Sequence, residues 1–543
     1  GPSARGRRPP RELGRGPAAA QRWAPHAPRA APPRSARPDV QQFVPRSDRR
    51  AIRRTVTSPR PRAARQPCRS PGAHSELADA SPTERSSERQ ILVLGAGPTG
   101  LAAGYRLQEL GYRNWKVVEA RDKVGGLASS ETSPNGFTYD IGGHVLFSHY
   151  EYFDRLFDKL MGDEYQELMR EAWVWMCGRF VPYPLQNNIK DLPKEVVLEM
   201  VMGLVEAQKT PLKLDEIENF EQLIMKQFGA GLAKYFMMPY NFKVWAHPPR
   251  MMNKEWIGER VALPSLARVL GNVILDRDDA GWGPNSTFKY PLYGGTGGLF
   301  ERIVPYIREH LVLEAPTVAV DPQAKTITLA DGHVEPYDVL MSTMPMDKLV
   351  RLMPGAPDAV REQADRLRHS GSFVVGVGVD RPADTSKCWM YFPEGDCPFY
   401  RVTYLSNYSP EVVPDHTRQH SLLAEISHSE FKPEDRGTIV DQTIEGMVNT
   451  RLLSEADVDL IVDTHLIERD YTYPTPSLER DQALRTIHPW LHEQNVFSRG
   501  RFGAWRYEVG NMDHSVAQGV EWVNRVVQGA VDDELTYQAK RGC

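Results

Sequence analysis

The first ordered pattern along the chain is an unbroken apolar run, Ile91-Leu92-Val93-Leu94. Four apolar residues without polar alternation predict a strand buried on both faces. Gly95-Ala96-Gly97-Pro98-Thr99-Gly100 follows, and then a segment of helical periodicity over residues 101–110 that stops at Gly111. A second strand is predicted at Lys116-Val117-Val118, ending at Glu119. This order of elements predicts a dinucleotide site. The glycines let the backbone turn tightly against a pyrophosphate, and the helix N-terminus offers it free N–H groups. An acid about 20 residues past the glycines accepts from a ribose.

Beyond residue 152 the periodicity becomes helical to about residue 273, strongest over 194–207 and 220–236. The loops between these helices are expected to carry Trp173 and Trp175 as packing aromatics. They also carry Tyr183, Gln186, Asn241 and Trp245, which together offer stacking faces and fixed hydrogen-bond groups for a base and a sugar. A second glycine-rich turn at 293–299 enters a helix predicted over 300–310. Strands are predicted at 317–320, 326–329, 339–343 and 373–379, with Asp331-Gly332 as a hairpin turn. Two aromatic strands are expected at 388–393 and 397–401, placing Arg401 beside Tyr391, and a helix at 441–453. The stretch 498–515 leads into a late helix with Val516, Val520, Val523 and Val526 on one face, a second helix N-terminus suited to an anion or carbonyl.

Composition narrows the class. Apolar and charged contents are ordinary for a globular protein, and the formal net charge of −4 predicts no general affinity for nucleic acid. No apolar run is long enough to span a membrane. The five cysteines, Cys68, Cys177, Cys388, Cys397 and Cys543, are scattered without CxxC spacing, which fits a reducing, cytoplasmic setting and no metal site. Residues 1–88 form an Arg/Pro-rich arm without lysine, too poor in apolar residues to order itself. It reads as a flexible tail, an organelle-targeting segment, or sequence outside the natural mature protein.

Candidate chemistry gathers around the glycines. Arg121 and Gly125-Gly126-Leu127 follow the ribose acid closely, and this extended arrangement resembles the FAD-binding family that includes amine oxidases. Gly142-Gly143-His144 suggests backbone pressed against a flat ligand, with His144 and His149 flanking an aromatic stretch. Nine separated stretches resemble the UDP-galactopyranose mutase family, in its eukaryotic branch. They are GGHVLFSHY (142–150), VPYPLQNN (181–188), PYNFKVWA (239–246), GERVALP (258–264), GPNSTF (283–288), GGTGG (294–298), CWMYFPEGDCPFYR (388–401), YPTP (473–476) and SRGRFGAWRYEVGNMDHS (498–515).

The resemblance implies interconversion of UDP-galactopyranose and UDP-galactofuranose without net redox, through a covalent bond between the sugar and N5 of reduced FAD. It assigns Arg260 and Arg401 to the diphosphate, with Tyr391, Tyr473 and Tyr507 as hydroxyl donors. Tyr183, Gln186, Asn241 and Trp245 would hold uridine and ribose, and Asn285 and Asn511 would lie near the sugar. His144 and His149 would sit beside the flavin. For FAD it implies Gly95, Ala96, Gly97, Thr99, Gly100, Glu119, Arg121, Gly125, Gly126, Leu127, Gly142, Gly143, His144, Thr317, Arg501, Gly510, Asn511, Met512 and Ser515. Met512 stands where the family often has Gln. NADPH or NADH would be the reductant, meeting Arg170, Tyr183, Trp389 and Arg501.

The implied fold is α/β, of amine-oxidase-like flavoprotein architecture. A Rossmann-like FAD-binding domain is assembled from 89–150, 276–345 and 481–535. A helical uridine-binding domain is inserted at 151–275, and a mixed or antiparallel sheet domain carrying substrate strands at 346–480. The expected partners are the UDP-sugars, with a second copy of the chain as the candidate protein partner and no nucleic acid or membrane. The rival within this fold is an FAD oxidase or desaturase, which would want an apolar or aromatic cage in place of the arginine and tyrosines.

Overall fold

Strand β1 (Ile91–Leu94) is buried along its whole length and leads through Gly95–Gly97 into helix α1 (Pro98–Glu109). Pro98 sits in the first turn of α1, where a missing N–H costs nothing. Strand β2 (Trp115–Val118) returns parallel to β1, with Glu119 just past its end. The computed structural model describes residues 88–209, 213–260, 263–279 and 286–530, without the side chains of 258–260. The Arg260 side chain and Asn285, both expected at the site, lie outside the described residues, as does the arm up to residue 87.

Further along come strands β3 (Ala172–Met176) and β4 (Arg179–Pro182), then helices α2 (Lys194–Lys209), α3 (Phe220–Leu232) and α4 (Met238–Trp245). Strands β5 (Leu311–Val312), β6 (Val339–Ser342), β7 (His369–Val379), β8 (Trp389–Tyr391), β9 (Arg401–Tyr404), β10 (His420–His428) and β11 (Ile461–Pro474) follow. The described chain closes with α5 (Arg480–Glu493), β12 (Val496–Ser498) and α6 (Met512–Gln528).

Two sheets organise the molecule. The first is parallel, in the order β12-β6-β1-β2-β5, so its five strands come from both ends of the sequence. Ile91 and Val93 face a core shared with α1 and α6 through Leu101, Tyr105, Val516 and Val520. Leu92 and Leu94 face the opposite core, with Ile327, Leu329 and the α5 residues Leu484 and Ile487. Burial on both faces explains why β1 shows no polar alternation. The second sheet has seven strands in the order β11-β7-β10-β9-β8-β3-β4, antiparallel except for the β8–β3 pair. A parallel sheet packed by helices on both faces and a second, largely antiparallel sheet make up the expected α/β arrangement. Among the described residues no helix is long and apolar enough to cross a membrane.

Three expectations about elements are corrected. The segment from 152 to 273 is not helical throughout, because β3 and β4 join the seven-stranded sheet and a strand Tyr165–Met169 pairs with Thr287–Pro291. Trp173 and Trp175 therefore lie in a strand and pack on the sheet, Trp175 against Phe180 at 5.0 Å. The cluster at 239–245 is helix α4, entered directly from the π-helical turn Ala233–Met237. Residues 300–310 form short pieces, Gly297–Glu301, Val304–Ile307 and Arg308–His310, interrupted near Pro305.

Candidate active site

A cavity of about 680 Å³ runs from the tip of β1 to the seven-stranded sheet. Its first end is built of backbone. Gly95 has φ +96°, and a Cβ there would stand 2.2 Å from Thr343 Oγ1, so only glycine fits. The Glu119 carboxylate fixes this turn from below, accepting from the Ala96 N–H at 2.7 Å and the Arg121 N–H at 3.0 Å. Arg121 Nη2 donates to the Gly126 carbonyl at 2.9 Å, and a Cβ on Gly126 would meet Gly97 Cα at 3.1 Å. Two glycine turns thus close on each other beside the N-terminus of α1. The N-terminus of α6 reaches the same cavity through Asn511, Met512 and Ser515. Two helix N-termini, a ribose-type carboxylate and bare glycine backbone suit the anionic and flat parts of FAD. Gly95, Gly97, Thr99, Glu119, Arg121, Gly126, Leu127, Thr317, Arg501 and Gly510 all line this space, while Ala96, Gly100 and Gly125 lie behind the lining and shape its turns.

The middle of the cavity is the turn Gly142-Gly143-His144. Its approach is anchored by Asp140, which is fully buried. Asp140 accepts from Ser130 Oγ at 2.6 Å, Thr296 N at 2.9 Å, Thr296 Oγ1 at 2.7 Å and Tyr290 OH at 2.9 Å, so one carboxylate ties this turn to the glycine-rich turn at 294–298. His144 turns back on the loop: Nδ1 lies 2.8 Å from the Gly142 carbonyl, which makes it the protonated nitrogen. Desolvation holds this imidazole below its ordinary pKa, against the pull of Asp140 and Glu425, so it is neutral at pH 7. His149 does not line the cavity. It meets the buried Asp513 carboxylate at 2.8 Å, and its ring stacks on His514, which in turn meets Tyr150 OH at 2.7 Å.

The far end is polar and cationic. The register of β8, β9 and β10 sets Tyr391, Arg401 and Glu425 in one row across three strands. Directly paired residues share a face of the sheet, so the row points together. Arg401 donates to Glu425 through Nε at 2.5 Å and Nη2 at 2.8 Å, and Nη2 reaches the Gly143 carbonyl at 3.1 Å. Among the described residues nothing bonds Nη1. Burial alone would raise the Glu425 carboxyl, but the Arg401 charge and the bonds from Arg401, Gly143 and Tyr400 outweigh it and hold the group below its usual range. Tyr473 and Tyr507 line the same end, and the Arg501 guanidinium lies over their rings at 4.9 and 5.5 Å. Burial raises the Tyr473 phenol, keeping it a proton donor at neutral pH.

The other expected substrate residues form a wall behind this end. Trp245 is 1% exposed, its ring met edge-on by Tyr473 at 5.6 Å and Tyr507 at 4.8 Å, so it supports the tyrosines from behind. Asn241 is buried and donates to the carbonyl of Met237, the last residue of the π-helical turn before its helix. Gln186 is buried in the short turn Leu185–Asn187. Tyr183 and Tyr391 meet at 5.0 Å, Trp389 Nε1 donates to Tyr391 OH at 2.7 Å, and Arg170 lies over Tyr183 and Trp389 at 4.8 and 5.4 Å. Sequence reasoning missed Asp140 and Glu425. Glu425 was detectable in principle: it is the one acid in the otherwise apolar run 422–426.

A family model described as flavin containing amine oxidoreductase matches residues 98–521. A crystal structure of reduced UDP-galactopyranose mutase is 43% identical, covering 82% of this chain and 96% of its own, with a TM-score of 0.80. The chain belongs to the UDP-galactopyranose mutase family of flavin-containing amine oxidoreductases. Amine oxidase B of Sus scrofa is 23% identical over 58% of this chain and 59% of its own length. The chain thus spans under two thirds of the curated amine oxidases it matches. Putrescine oxidase with bound putrescine, at 16% identity and a TM-score of 0.57, shares the fold alone over 81% of this chain and 99% of its own.

Proposed function

We propose that the protein is an FAD-dependent UDP-galactopyranose mutase of the eukaryotic type, interconverting UDP-galactopyranose and UDP-galactofuranose. The observation that carries this reading is a single cavity joining a glycine-lined cradle to Arg401 and its tyrosines. An amine oxidase would need an apolar cage at that end, and an arginine there repels a cationic amine.

FAD, bound and reduced, would supply the nucleophilic centre that takes the galactose carbon from UDP and later gives it back. The protein residues orient and stabilise. Arg401 Nη1 is free to donate to a diphosphate oxygen, while Nε and Nη2 are already held by Glu425 and Gly143, so the guanidinium meets the anion preorganised. The negative charge on UDP grows as the glycosidic bond breaks, and Arg401 stabilises it more in the transition state than before. Tyr473 and Tyr507 add hydroxyl donors to the same oxygens, and Arg260 is proposed as the second cation. Tyr183, Gln186 and Asn241 are proposed for uridine, and Asn511 for the sugar. Neutral His144 holds the turn closed through its bond to Gly142, presenting backbone to the cofactor. Arg170, stacked over Tyr183 and Trp389, is the proposed contact for NADPH or NADH as reductant.

The test is to incubate dithionite-reduced holoprotein with UDP-galactofuranose and to follow UDP-galactopyranose by chromatography. Conversion is expected. Peroxide release from an amine without conversion would favour an oxidase, and tight FAD binding with neither would leave a binding protein.

A further inference from the structure

Glu425 touches nothing that reacts in the chemistry above, yet its carboxylate is shared between both halves of the cavity. Oε1 accepts from Gly143 N at 3.0 Å and from Arg401 Nε at 2.5 Å, and Oε2 accepts from Tyr400 OH at 2.7 Å and Arg401 Nη2 at 2.8 Å. Arg401 Nη2 donates to the Gly143 carbonyl as well, which closes a ring of bonds between strand β9 and the turn. The Glu425 side chain is 4% exposed, so its side of the ring is shut off from water. The turn has no slack either: a Cβ on Gly143 would stand 2.6 Å from Thr403 Oγ1 and 3.2 Å from Glu425 Oε1.

A buried ion pair adds little stability over apolar residues of the same volume, because desolvation offsets the attraction. Neutralising Arg401 also requires no bond to a backbone N–H on another segment. We propose that Glu425 is a positioning residue that couples the two ends of the cavity, holding Arg401 and the Gly142–His144 turn in one geometry. The proposal rests on the reading that Arg401 meets the diphosphate and that the turn lies beside the flavin. An anion drawing on Arg401 then pulls, through Glu425, on the backbone of the turn, and UDP binding is felt at the flavin.

The experiment uses FAD-loaded wild type, Glu425→Gln and Glu425→Asp. UDP is titrated while the visible flavin spectrum is recorded, and kcat and KM are measured on the reduced proteins. Gln keeps the shape but loses the charge, while Asp keeps the charge but is one methylene too short to span Arg401 and Gly143 together. In wild type UDP should perturb the flavin spectrum. In Glu425→Gln the perturbation should vanish, and UDP affinity should fall by a smaller factor than turnover does. Turnover should fall by about 10–100-fold, the scale of a misplaced reacting geometry. If Glu425→Gln does not retain FAD, Glu425→Asp decides, with the same losses expected. Unchanged turnover and spectral response in the folded variant would overturn the proposal, as would UDP affinity falling in step with turnover or a wild-type flavin that ignores UDP. Failure of the mutase reading would look different: no turnover in wild type, with the UDP-induced flavin change still present.

Discussion

At the scale of single residues, two buried carboxylates fix the turn at 142–144, Asp140 from the 294–298 side and Glu425 from Arg401. Asp140 accepts four hydrogen bonds from groups that are themselves buried. Removing it strands the Thr296 N–H and three hydroxyls, each a donor whose desolvation costs about 1–3 kcal/mol when unmet. Asp140→Ala should therefore lower the unfolding free energy by more than about 3 kcal/mol, measured by denaturant titration, whereas Asp140→Asn, which can still accept, should lose less. Arg401 is proposed to stabilise the charge that grows on UDP. Arg401→Ala should cut turnover by about two to three orders of magnitude, the cost of losing one preorganised donor to developing charge. It should also destabilise the fold by leaving the buried Glu425 without its counter-ion, so turnover must be normalised to FAD content. The glycines and Glu119 were legible in the sequence because their spacing is local, whereas Glu425 pairs with a residue 24 positions away and Asp140 with one 156 away. No local pattern encodes such pairs.

At the scale of elements, the cofactor cradle depends on how closely α1 and α6 approach. Gly519 on α6 faces α1, where a Cβ would stand 2.3 Å from the Thr99 carbonyl oxygen and 3.0 Å from Ala103 N. Alanine favours a helix over glycine by about 1 kcal/mol, but overpacking of this kind costs about 1–3 kcal/mol and shifts backbone. The clash should win: Gly519→Ala should lower the melting temperature and weaken FAD retention, because Thr99 and Met512 lie at the two helix starts that line the cavity. Higher stability with unchanged FAD content would refute this packing. The long helices and β1 were readable from periodicity. Strands β3 and β4 were not, since both are short: β3 gains its sheet from β8, more than 200 residues later, and β4 pairs, among the described residues, only with β3. Helix α4 was obscured by Pro239, which is tolerated because it falls in the first turn.

At the scale of the whole molecule, several histidines are folded in neutral form. Desolvation pushes His369, stacked on Tyr471 at 3.9 Å, down to about 4, and desolvation with repulsion from Arg499 pushes His488 down to about 3. Both titrate near 6.5 when unfolded. Between pH 6.5 and about 4 the unfolded chain therefore binds protons that the native protein refuses, so stability falls as the pH drops through this window. Melting temperature should decline from pH 7 to pH 5, and His488→Leu should flatten the decline. A melting temperature that rises on acidification would contradict this assignment. The late loop-to-helix start at 498–515 led to the expectation that both ends of the chain grip the cofactor; that β12 joins the parallel sheet of β1 shows only in the fold. The row Tyr391–Arg401–Glu425 was anticipated only as far as its first pair.

The central claim is that one cavity holds a reduced flavin at its glycine end and a UDP-sugar at its arginine end, so that the sugar is rearranged without net redox. The most direct measurement compares the same holoprotein, reduced and oxidised, for formation of UDP-galactopyranose from UDP-galactofuranose under anaerobic conditions. The account predicts many turnovers per flavin with the reduced protein, no consumption of reductant beyond the first reduction, and none with the oxidised protein. Equal turnover in both states, or none in either with FAD fully bound, would contradict it.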